Sequence, residues 1–513
     1  PLFRGYRGLL GGLIRRRWLT VGVLVLILAV AVKGFKYVEQ SFFPDSTTPQ
    51  FTFDYWTTQG TSIEDTRDDV AYIEDYARSL PGVQHVATCV GQGAPRFMLT
   101  YTAEEPNTAY AQLILEVDDY TMISEYMAAL DTFVADHFPN ALTYGRRFVL
   151  GPGGGSKIEA RFSGPDRSVL RRLSDEAQAI MRADPGARDI RDDWREQVKI
   201  IRPVLKESSA SRLGLTRADI AQAMQRTYGG NRVGIYREGD KLIPITSRAP
   251  SAERSNVEGL YDLQVWSPVA YATIPIAQVV SDFETVWVDD IIATRDRLPT
   301  ITPQCNQKTG NASVVFARVK PQIEAMELPP GYKMEWGGEY ENSSFAQQGL
   351  ALTFPLMILM MILIVVIQFN SIRLPMIIWL TVPLALVGVT GGLLFSSVPF
   401  GFMALLGALS LIGMLVKNSI VLVDEINSQI ASGKPRYDAL IDSSLSRLRP
   451  VSMAAMTTVL GMIPLLPDAF FVSLAVTIMG GLAFATVLTM VVVPTLYAVF
   501  FKIRSDETLE ESA

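Results

Sequence analysis

Gly413-Met-Leu-Val-Lys-Asn-Ser-Ile-Val-Leu-Val-Asp-Glu425 places one lysine, Lys417, inside a run otherwise apolar enough to cross a membrane. A charge in hydrocarbon costs several kcal/mol, so such a lysine either snorkels to an interface or faces a polar interior with a partner. Asp424 and Glu425 follow on the same helix, near the expected water boundary. The rest of the chain tells which kind of protein can hold such a residue.

A spanning helix needs roughly 20 mostly apolar residues to cross about 30 Å. Five further runs meet or approach that length: Trp18 to about Tyr37, Leu350–Phe369, Leu374–Phe395, Val451–Pro467 and Phe471–Phe501. The run around Lys417 extends over Gly401–Val423. Short loops rich in Lys and Arg mark the cytoplasmic side. Arg4, Arg7, Arg15, Arg16 and Arg17 precede the first span, and Arg373 follows the second. Lys434, Arg436, Arg447 and Arg449 lie in an expected 425–449 loop, with Lys502 and Arg504 in the tail. The connections 396–399 and 467–470 have neither Lys nor Arg. Both termini are therefore expected in the cytoplasm, with residues 38–345 on the far side. The basic start resembles a signal peptide, yet no small-residue cleavage site follows, so the first span is expected to stay. The sequence opens at Pro1, which suggests a piece of a longer protein.

Bulk composition agrees. The 513 residues are 49% hydrophobic and 19% charged, too apolar for an ordinary soluble chain and too polar for one wholly in the membrane. A net charge of -6 argues against nucleic acid as partner. Two cysteines, Cys89 and Cys305, and two histidines make neither a disulfide scaffold nor a His/Cys metal cluster.

Outside the membrane, periodicity predicts strand Gln50–Thr57, helix Ser62–Leu80, strands Gln84–Val90 and Phe97–Val117 (the latter broken near Pro106), helix Met122–Phe138 and strand Ala141–Val149. This βαββαβ order is a ferredoxin-like split unit. A second unit comes in two pieces. Lys157–Ser163, helix Ser168–Ala183 and a strand near Asp189 form one; Thr300–Cys305, helix Ala312–Met326 and strand Lys333–Trp336 form the other. The insert between them carries helices Ala210–Gly214 and Arg217–Tyr228 and the hairpin Gly234–Ile245. That hairpin, with Gly234, Tyr236, Arg237, Glu238 and Gly239, is either a partner-binding arm or an ordinary surface loop. Gly151-Pro-Gly-Gly-Gly155 lacks the Lys-Ser/Thr of a phosphate loop and reads as a linker.

No nucleophile–base pair stands out, so no catalytic residue and no enzyme is expected. None of the other spans carries a carboxylate for Lys417. Thr457 and Thr458 on the fifth span offer hydroxyls, which do not titrate near neutral pH. The charge partner is therefore expected outside this sequence.

Four stretches carry a specific resemblance: Leu328-Pro-Pro-Gly-Tyr-Lys-Met-Glu-Trp-Gly-Gly338, Thr381-Val-Pro-Leu-Ala-Leu-Val-Gly388, Ile412-Gly-Met-Leu-Val-Lys-Asn-Ser-Ile-Val-Leu-Val423, and Arg447-Leu-Arg-Pro450 with Leu460-Gly-Met-Ile-Pro464. The chain resembles the resistance–nodulation–division (RND) efflux permeases of the acriflavine-resistance, hydrophobe/amphiphile type, and looks like their C-terminal half, helices 7 to 12. The resemblance implies a six-helix membrane bundle plus an α+β periplasmic domain of two ferredoxin-like porter subdomains with an inserted docking subdomain. The expected boundaries are 1–37 for flank and first span, 38–150 for porter subdomain 1, and 151–197 with 297–345 for porter subdomain 2. The docking subdomain takes 198–296, five further spans 346–504, and a tail 505–513. It also implies proton-driven export of drugs, biocides or detergents from the bacterial inner membrane, without a cofactor. The implied partners are the N-terminal half of the same pump, a homotrimer, a periplasmic adaptor, an outer-membrane channel, the lipid bilayer and small-molecule substrates.

By that resemblance, Lys417-Asn418 falls on the relay lysine segment, and Arg447 on an arginine linked to the proton path. Ala454 stands at the relay threonine's place, with Thr457 or Thr458 one turn on. The loop Gly91, Gln92, Gly93, Ala94, Pro95, Arg96, Phe97, with Cys89 before it, lies at the substrate-gating loop. Ala87 and Ala94 stand where drug pumps often have phenylalanine. A Cys89–Cys305 disulfide across the cleft is an open alternative. So are heavy-metal efflux, for which Met98 near the loop is thin support, and a non-transport, sterol-sensing-like receptor.

Overall fold

A computed structural model describes residues 2–151, 155–254 and 258–503. The expected tail 505–513 and the middle of the 151–155 linker lie outside the described residues. The chain divides into two compact units, Pro1–Arg195 with Ile292–Ala513, and Glu196–Ile291.

In the larger unit, Gln50–Trp56, Val83–Val90, Tyr110–Val117 and Leu142–Arg147 form an antiparallel sheet in spatial order second, third, first, fourth. The central pair runs in register from Gln50 opposite Glu116 to Trp56 opposite Tyr110. Two helices, Ile63–Ser79 and Ile123–His137, cover one face. The first begins where Ser62 Oγ accepts the Asp65 N–H at 3.1 Å, a cap worth about 1 kcal/mol. Their apolar stripes, including Val70, Ile73, Leu130 and Val134, close on Phe51, Phe53 and Leu113 with essentially no exposure. The expected strand Phe97–Val117 is corrected: it begins only at Tyr110. Residues 97–109 are loop, because Phe97, Met98 and Tyr101 pack on Phe148 instead of pairing in a ladder.

The second sheet repeats the arrangement. Ile158–Ser163 pairs on one side with Lys333–Gly337 and on the other with Leu298–Ile301 and Gln304–Gln307; Ala187–Arg191 lies beyond. The expected strand Thr300–Cys305 is thus two short strands. Pro303, which has no N–H to give the ladder, sits at the break. Helices Arg167–Ala183 and Ala312–Glu324 cover this sheet over Phe162, Leu173, Val319 and fully buried Trp194. Cys305 lies in this core, whereas Cys89 packs beside Ala94 and Tyr101 on the first sheet. Both cysteines are free, which corrects the disulfide alternative.

The smaller unit is built on a ribbon, Val198–Leu205 against Val280–Val288, that sequence patterning did not separate from loop. Helices Glu207–Arg212 and Arg217–Tyr228 pack Ala210, Ile220 and Ala223 over Leu260 and Ile276. The hairpin pairs Asn231–Glu238 with Lys241–Ser247, turning through Gly239 at φ +60°.

Among the described residues, six helices are long and apolar enough to cross a membrane: Arg17–Phe35, Gly338–Phe369, Arg373–Ser396, Phe402–Ala431, Arg436–Leu465 and Val472–Phe500. The second rises directly from strand Lys333–Gly337 through Gly338, whose φ is +65°. A Cβ there would stand 2.5 Å from the Lys157 carbonyl oxygen, so this junction requires glycine. Third and sixth spans touch backbone to backbone at glycines; a Cβ on Gly480 would come within 2.7 Å of the Gly388 oxygen. The expected 425–449 loop is also corrected. Helix continues to Ala431 and resumes at Arg436; Lys434, in the short turn between, pairs with Asp442, and Arg447 on the next helix pairs with Glu425.

Leu10, Ile14, Ile426, Leu440 and Tyr497 pack together at one end of the bundle, where Arg7, Lys434 and Arg447 also gather. At the other end, Phe43 meets Phe402 at 5.5 Å and Phe470 at 6.0 Å. The two sheets lie beyond that second end.

Candidate functional site

The fourth span buries Ala404, Gly407, Leu411, Leu415, Ser419, Leu422 and Ile426 against its neighbours. Its other face carries Ser410, Gly413, Lys417, Asp424 and Ser428, all exposed and spaced by whole helical turns. Lys417 lies 15 residues from Phe402 and 14 from Ala431, about 22 Å along the axis from either helix end at 1.5 Å per residue. Among the described residues it has no hydrogen bond and no ion pair. Asn418 is half-buried beside it. Thr457 and Thr458 do not reach Lys417: both hydroxyls donate to the Ala454 carbonyl, at 2.9 and 3.0 Å. They satisfy their own helix instead.

Arg447 is engaged elsewhere. Its Nη2 and Nε donate to Glu425 Oε2 at 2.5 and 3.1 Å, and Gln429 Nε2 donates to the other oxygen at 2.8 Å. This fork ties the fourth span to the fifth. Sequence reasoning set Glu425 aside as a poor match for Lys417 and missed this partner. The available signal was a carboxylate and an arginine at the same expected membrane boundary.

In the first sheet, the loop after Cys89 closes on itself. Gly91, at φ +81°, donates to the Tyr110 carbonyl at 2.8 Å, and Gly93 donates to the Glu104 carbonyl at 3.1 Å. Ala94 N–H and Tyr101 Oη–H both donate to Gln112 Oε1, at 3.1 and 2.6 Å. Gln112 Nε2 and Tyr110 Oη–H then donate to Asp54, each at 2.7 Å, and Arg146 pairs with the same carboxylate. Gln92, Pro95 and Arg96 are exposed. Phe97 is half-exposed, stacked on Tyr101 at 4.9 Å and edge-on to Phe148 at 5.7 Å. Tyr101 and Phe148 thus supply aromatic surface that the sequence reading did not find. Asp54, in an otherwise buried strand, was the signal for the polar network, since a buried carboxylate needs partners.

Two edge strands, Leu142–Arg147 and Ala187–Arg191, face each other across a cleft between the sheets. Arg191 lies over the Tyr144 ring at 3.8 Å, and Arg195 over Trp56 at 4.7 Å. Burial lowers the Arg191 guanidinium, and neighbouring Arg146 adds to that shift while Tyr144 opposes it. Burial pushes Asp193, next to this seam, up to about 6. A cavity of about 470 Å³ opens here; Thr100, Tyr101, Arg146 and Phe148 on one side face Arg188 and Gln307 on the other. Among the described residues no group of three or more His, Cys, Asp or Glu is placed to hold a metal ion.

In the smaller unit, Tyr236, Arg237, Glu238 and Gly239 are exposed and Gly234 is half-buried. Nearly all of the hairpin is open to solvent on both faces, and a bare two-stranded ribbon is marginal alone.

Among the described residues, six helices long and apolar enough to cross a membrane and a large extramembrane part mark an integral membrane protein. The chain belongs to the AcrB/AcrD/AcrF family of RND permeases, whose sequence pattern matches residues 2–501. It is 25% identical over 517 residues to the nickel and cobalt resistance protein CnrA of Cupriavidus metallidurans, covering 98% of this chain and 48% of that protein. It is 26% identical over 506 residues to the nickel-cobalt-cadmium resistance protein NccA of Alcaligenes xylosoxydans xylosoxydans, covering 95% and 47%. A solved structure described as a heavy metal efflux pump superposes with a TM-score of 0.82 at 21% identity, over 98% of this chain and 52% of that one. The chain spans about half the length of the relatives it matches. By name, these relatives are metal-resistance or heavy-metal efflux proteins, not drug exporters.

Proposed function

We propose that this chain forms part of a proton-driven export pump of the bacterial inner membrane. The observation that carries the reading is the uncovered polar face of the fourth span, with Lys417 at its centre. Lipid is a poor neighbour for that face. A further helix bearing a carboxylate, from outside this sequence, would cover it and pair with Lys417. Protonation of that carboxylate weakens the pair and lets the helices shift, and the second span, continuous with the second sheet, passes the motion outward. Lys417 acts as the charge that senses the proton, while the carboxylate carries it. Arg447 and Glu425 stand at the cytoplasmic end of the path, with Asn418 next to Lys417.

In this reading the two sheet units are porter subdomains on the periplasmic side, and the loop at Gly91–Phe97 gates their cleft. The Glu196–Ile291 unit docks partners through its hairpin. A trimer, a periplasmic adaptor and an outer-membrane channel complete the assembly. For the cargo, the names of the relatives support metal ions. A second reading, hydrophobic or amphiphilic organic compounds, is favoured by the cleft itself, where Tyr101, Phe148 and Met127 line the cavity.

The test is efflux from cells lacking their own pumps, with the chain expressed in its natural gene context. Dyes, detergents and biocides are compared with nickel, cobalt, cadmium, copper and silver, with and without a proton gradient. Gradient-dependent export is expected. Export indifferent to the gradient, or none of any cargo, would overturn the pump reading; the pattern of cargoes separates the two classes.

A further inference from the structure

Ahead of the first span stands a helix, Leu2–Arg15, that the export reading does not use. Tyr6, Leu10 and Ile14, four residues apart, form one stripe. Leu10 and Ile14 are buried in the core at one end of the bundle, and Tyr6 packs against it. Tyr6 Oη–H donates to the Met490 carbonyl at 2.8 Å. Just past the helix, Arg17 donates to the carbonyls of Ala498 and Ile503, each at 3.1 Å. Thr20 Oγ1–H closes the break between helix and span by donating to the Leu13 carbonyl at 3.0 Å. A Cβ on Gly11 would stand 3.4 Å from the Tyr437 hydroxyl. The helix is thus pinned on the ends of the fifth and sixth spans.

Its other sides are open. Arg4, Arg7 and Arg15, at i, i+3 and i+11, share one flank, and all three are exposed. Leu9, 53% exposed, and half-buried Leu13 hold the opposite flank. Between the two rows, Gly5, Gly8 and Gly12 turn away from the bundle, with nothing within 4 Å of a Cβ. Trp18, 71% exposed, follows at the start of the span. The facing carboxylates lie on the fifth span. Asp442 is shared by Arg7 at 3.8 Å and Lys434 at 3.4 Å, and Asp438 stands beside Arg436 and Tyr437 in sequence. Among the described residues the side chains of Arg4, Arg15 and Arg16 have neither a hydrogen bond nor an ion pair.

Basic residues beside a span also set its direction of insertion, and that role alone accounts for their number. It does not account for a helix. Four of the 14 residues are glycine, the poorest helix former after proline, so propensity in water does not hold this segment helical. Nor does it account for an arginine row and a leucine row on opposite flanks. That is the pattern of a helix lying at the boundary between headgroups and acyl chains. Trp18 belongs to a residue type that settles at the same level. A water-soluble anionic partner would satisfy the arginines but leave Leu9 and Trp18 without an apolar neighbour.

We propose that helix Leu2–Arg15 is a docking surface for anionic phospholipids. Phosphates seat along the Arg4–Arg7–Arg15 row, where a guanidinium can offer two parallel N–H donors to one phosphate. The bare glycine face lets the lipid lie close, and its acyl chains rest on Leu9, Leu13 and Trp18. The cytoplasmic placement of this end comes from the proposed function, and that leaflet has a negative surface potential. The binding itself does not depend on transport.

The experiment is native mass spectrometry of the pump, expressed in its natural gene context and purified in a neutral detergent. It is titrated with phosphatidylglycerol or with phosphatidylcholine of the same acyl chains. Phosphatidylglycerol is expected to bind at least about tenfold more tightly. Arg4→Gln with Arg15→Gln should weaken phosphatidylglycerol at least about fivefold and leave phosphatidylcholine unchanged, while Arg4→Lys with Arg15→Lys keeps most of the preference. Arg7, Arg16 and Arg17 stay in both variants, so the insertion signal and the contacts to the bundle persist. If the double glutamine variant is not recovered, Arg4→Gln alone should still weaken phosphatidylglycerol about twofold or more. Equal binding of the two lipids, or phosphatidylglycerol affinity unchanged in the glutamine variants, would overturn the proposal. So would displacement of the lipid by millimolar inorganic phosphate, which would make the ligand a soluble anion. A site that opens only after residues 505–513 are removed would overturn it too, because the carboxylates of Asp506, Glu507, Glu510 and Glu511 would then be the occupant. Efflux is recorded in parallel, and its loss with lipid binding intact counts against the pump reading alone.

Discussion

Two charged positions on the fourth span, Lys417 and Glu425, lie about 12 Å apart along one axis and live under different rules. Glu425 is held by Arg447 and Gln429, so its charge is balanced within the chain and braces two helices. Among the described residues Lys417 has nothing to balance it, and the face it stands on is left bare. A balanced pair at the end of a bundle is what stability alone asks for. An unbalanced charge at the middle is costly to folding, so it points to a partner and to function.

The first way to break this contrast is Lys417→Ala. Removing this lysine should leave expression and assembly intact, because no hydrogen bond or ion pair among the described residues is lost. Gradient-driven efflux should fall to background, a loss of more than about tenfold, because the charge that responds to the proton is gone. Efflux assays on cells with matched protein levels measure it. Retained efflux in a correctly assembled pump would show that Lys417 merely snorkels.

The middle of the scale belongs to the pair. Glu425→Gln keeps the shape and removes the charge that Arg447 holds. The two side chains are 20% and 36% exposed, so solvent screening limits the stabilisation to about 1 kcal/mol. Efflux should drop about two- to fivefold, together with a modest loss of thermal stability. If Glu425→Gln matches Lys417→Ala in severity while the protein stays folded, the end of the span is part of the proton path itself and the contrast disappears.

What was legible in the sequence follows the same division between local and distant causes. Helices and strands with clean periodicity, such as Ile63–Ser79 and Arg217–Tyr228, fall within a residue or two of expectation, because their signals are local. The placement of Lys417 near the middle of the fourth span was legible too, since it needs only the apolar run on either side. The segment Phe97–Tyr101 was misread as strand because aromatic and aliphatic residues favour both a ladder and a packed loop, and only contact with Phe148 decides between them. The cleft between the two sheets was not legible at all. Its residues come from four separate segments, around 146, 157, 188 and 308, and each looks like an ordinary surface charge until the two edge strands meet.

The smallest effect should come from the fifth span, and it sharpens the comparison most cheaply. Thr457 and Thr458 stood as candidate hydroxyl members of the relay, yet both donate back to the Ala454 carbonyl one turn earlier. A hydroxyl so engaged contributes little to a distant lysine, and Ala454 itself has no hydroxyl to offer. Thr457→Ala and Thr458→Ala, singly and together, should therefore leave efflux within about twofold of the parent, since the only bonds lost are to a carbonyl already in the helix ladder. The readout is the same efflux assay at matched expression. A loss approaching that of Lys417→Ala would mean that one threonine turns toward the lysine during transport, so that the bare face of the fourth span is completed partly from within this chain.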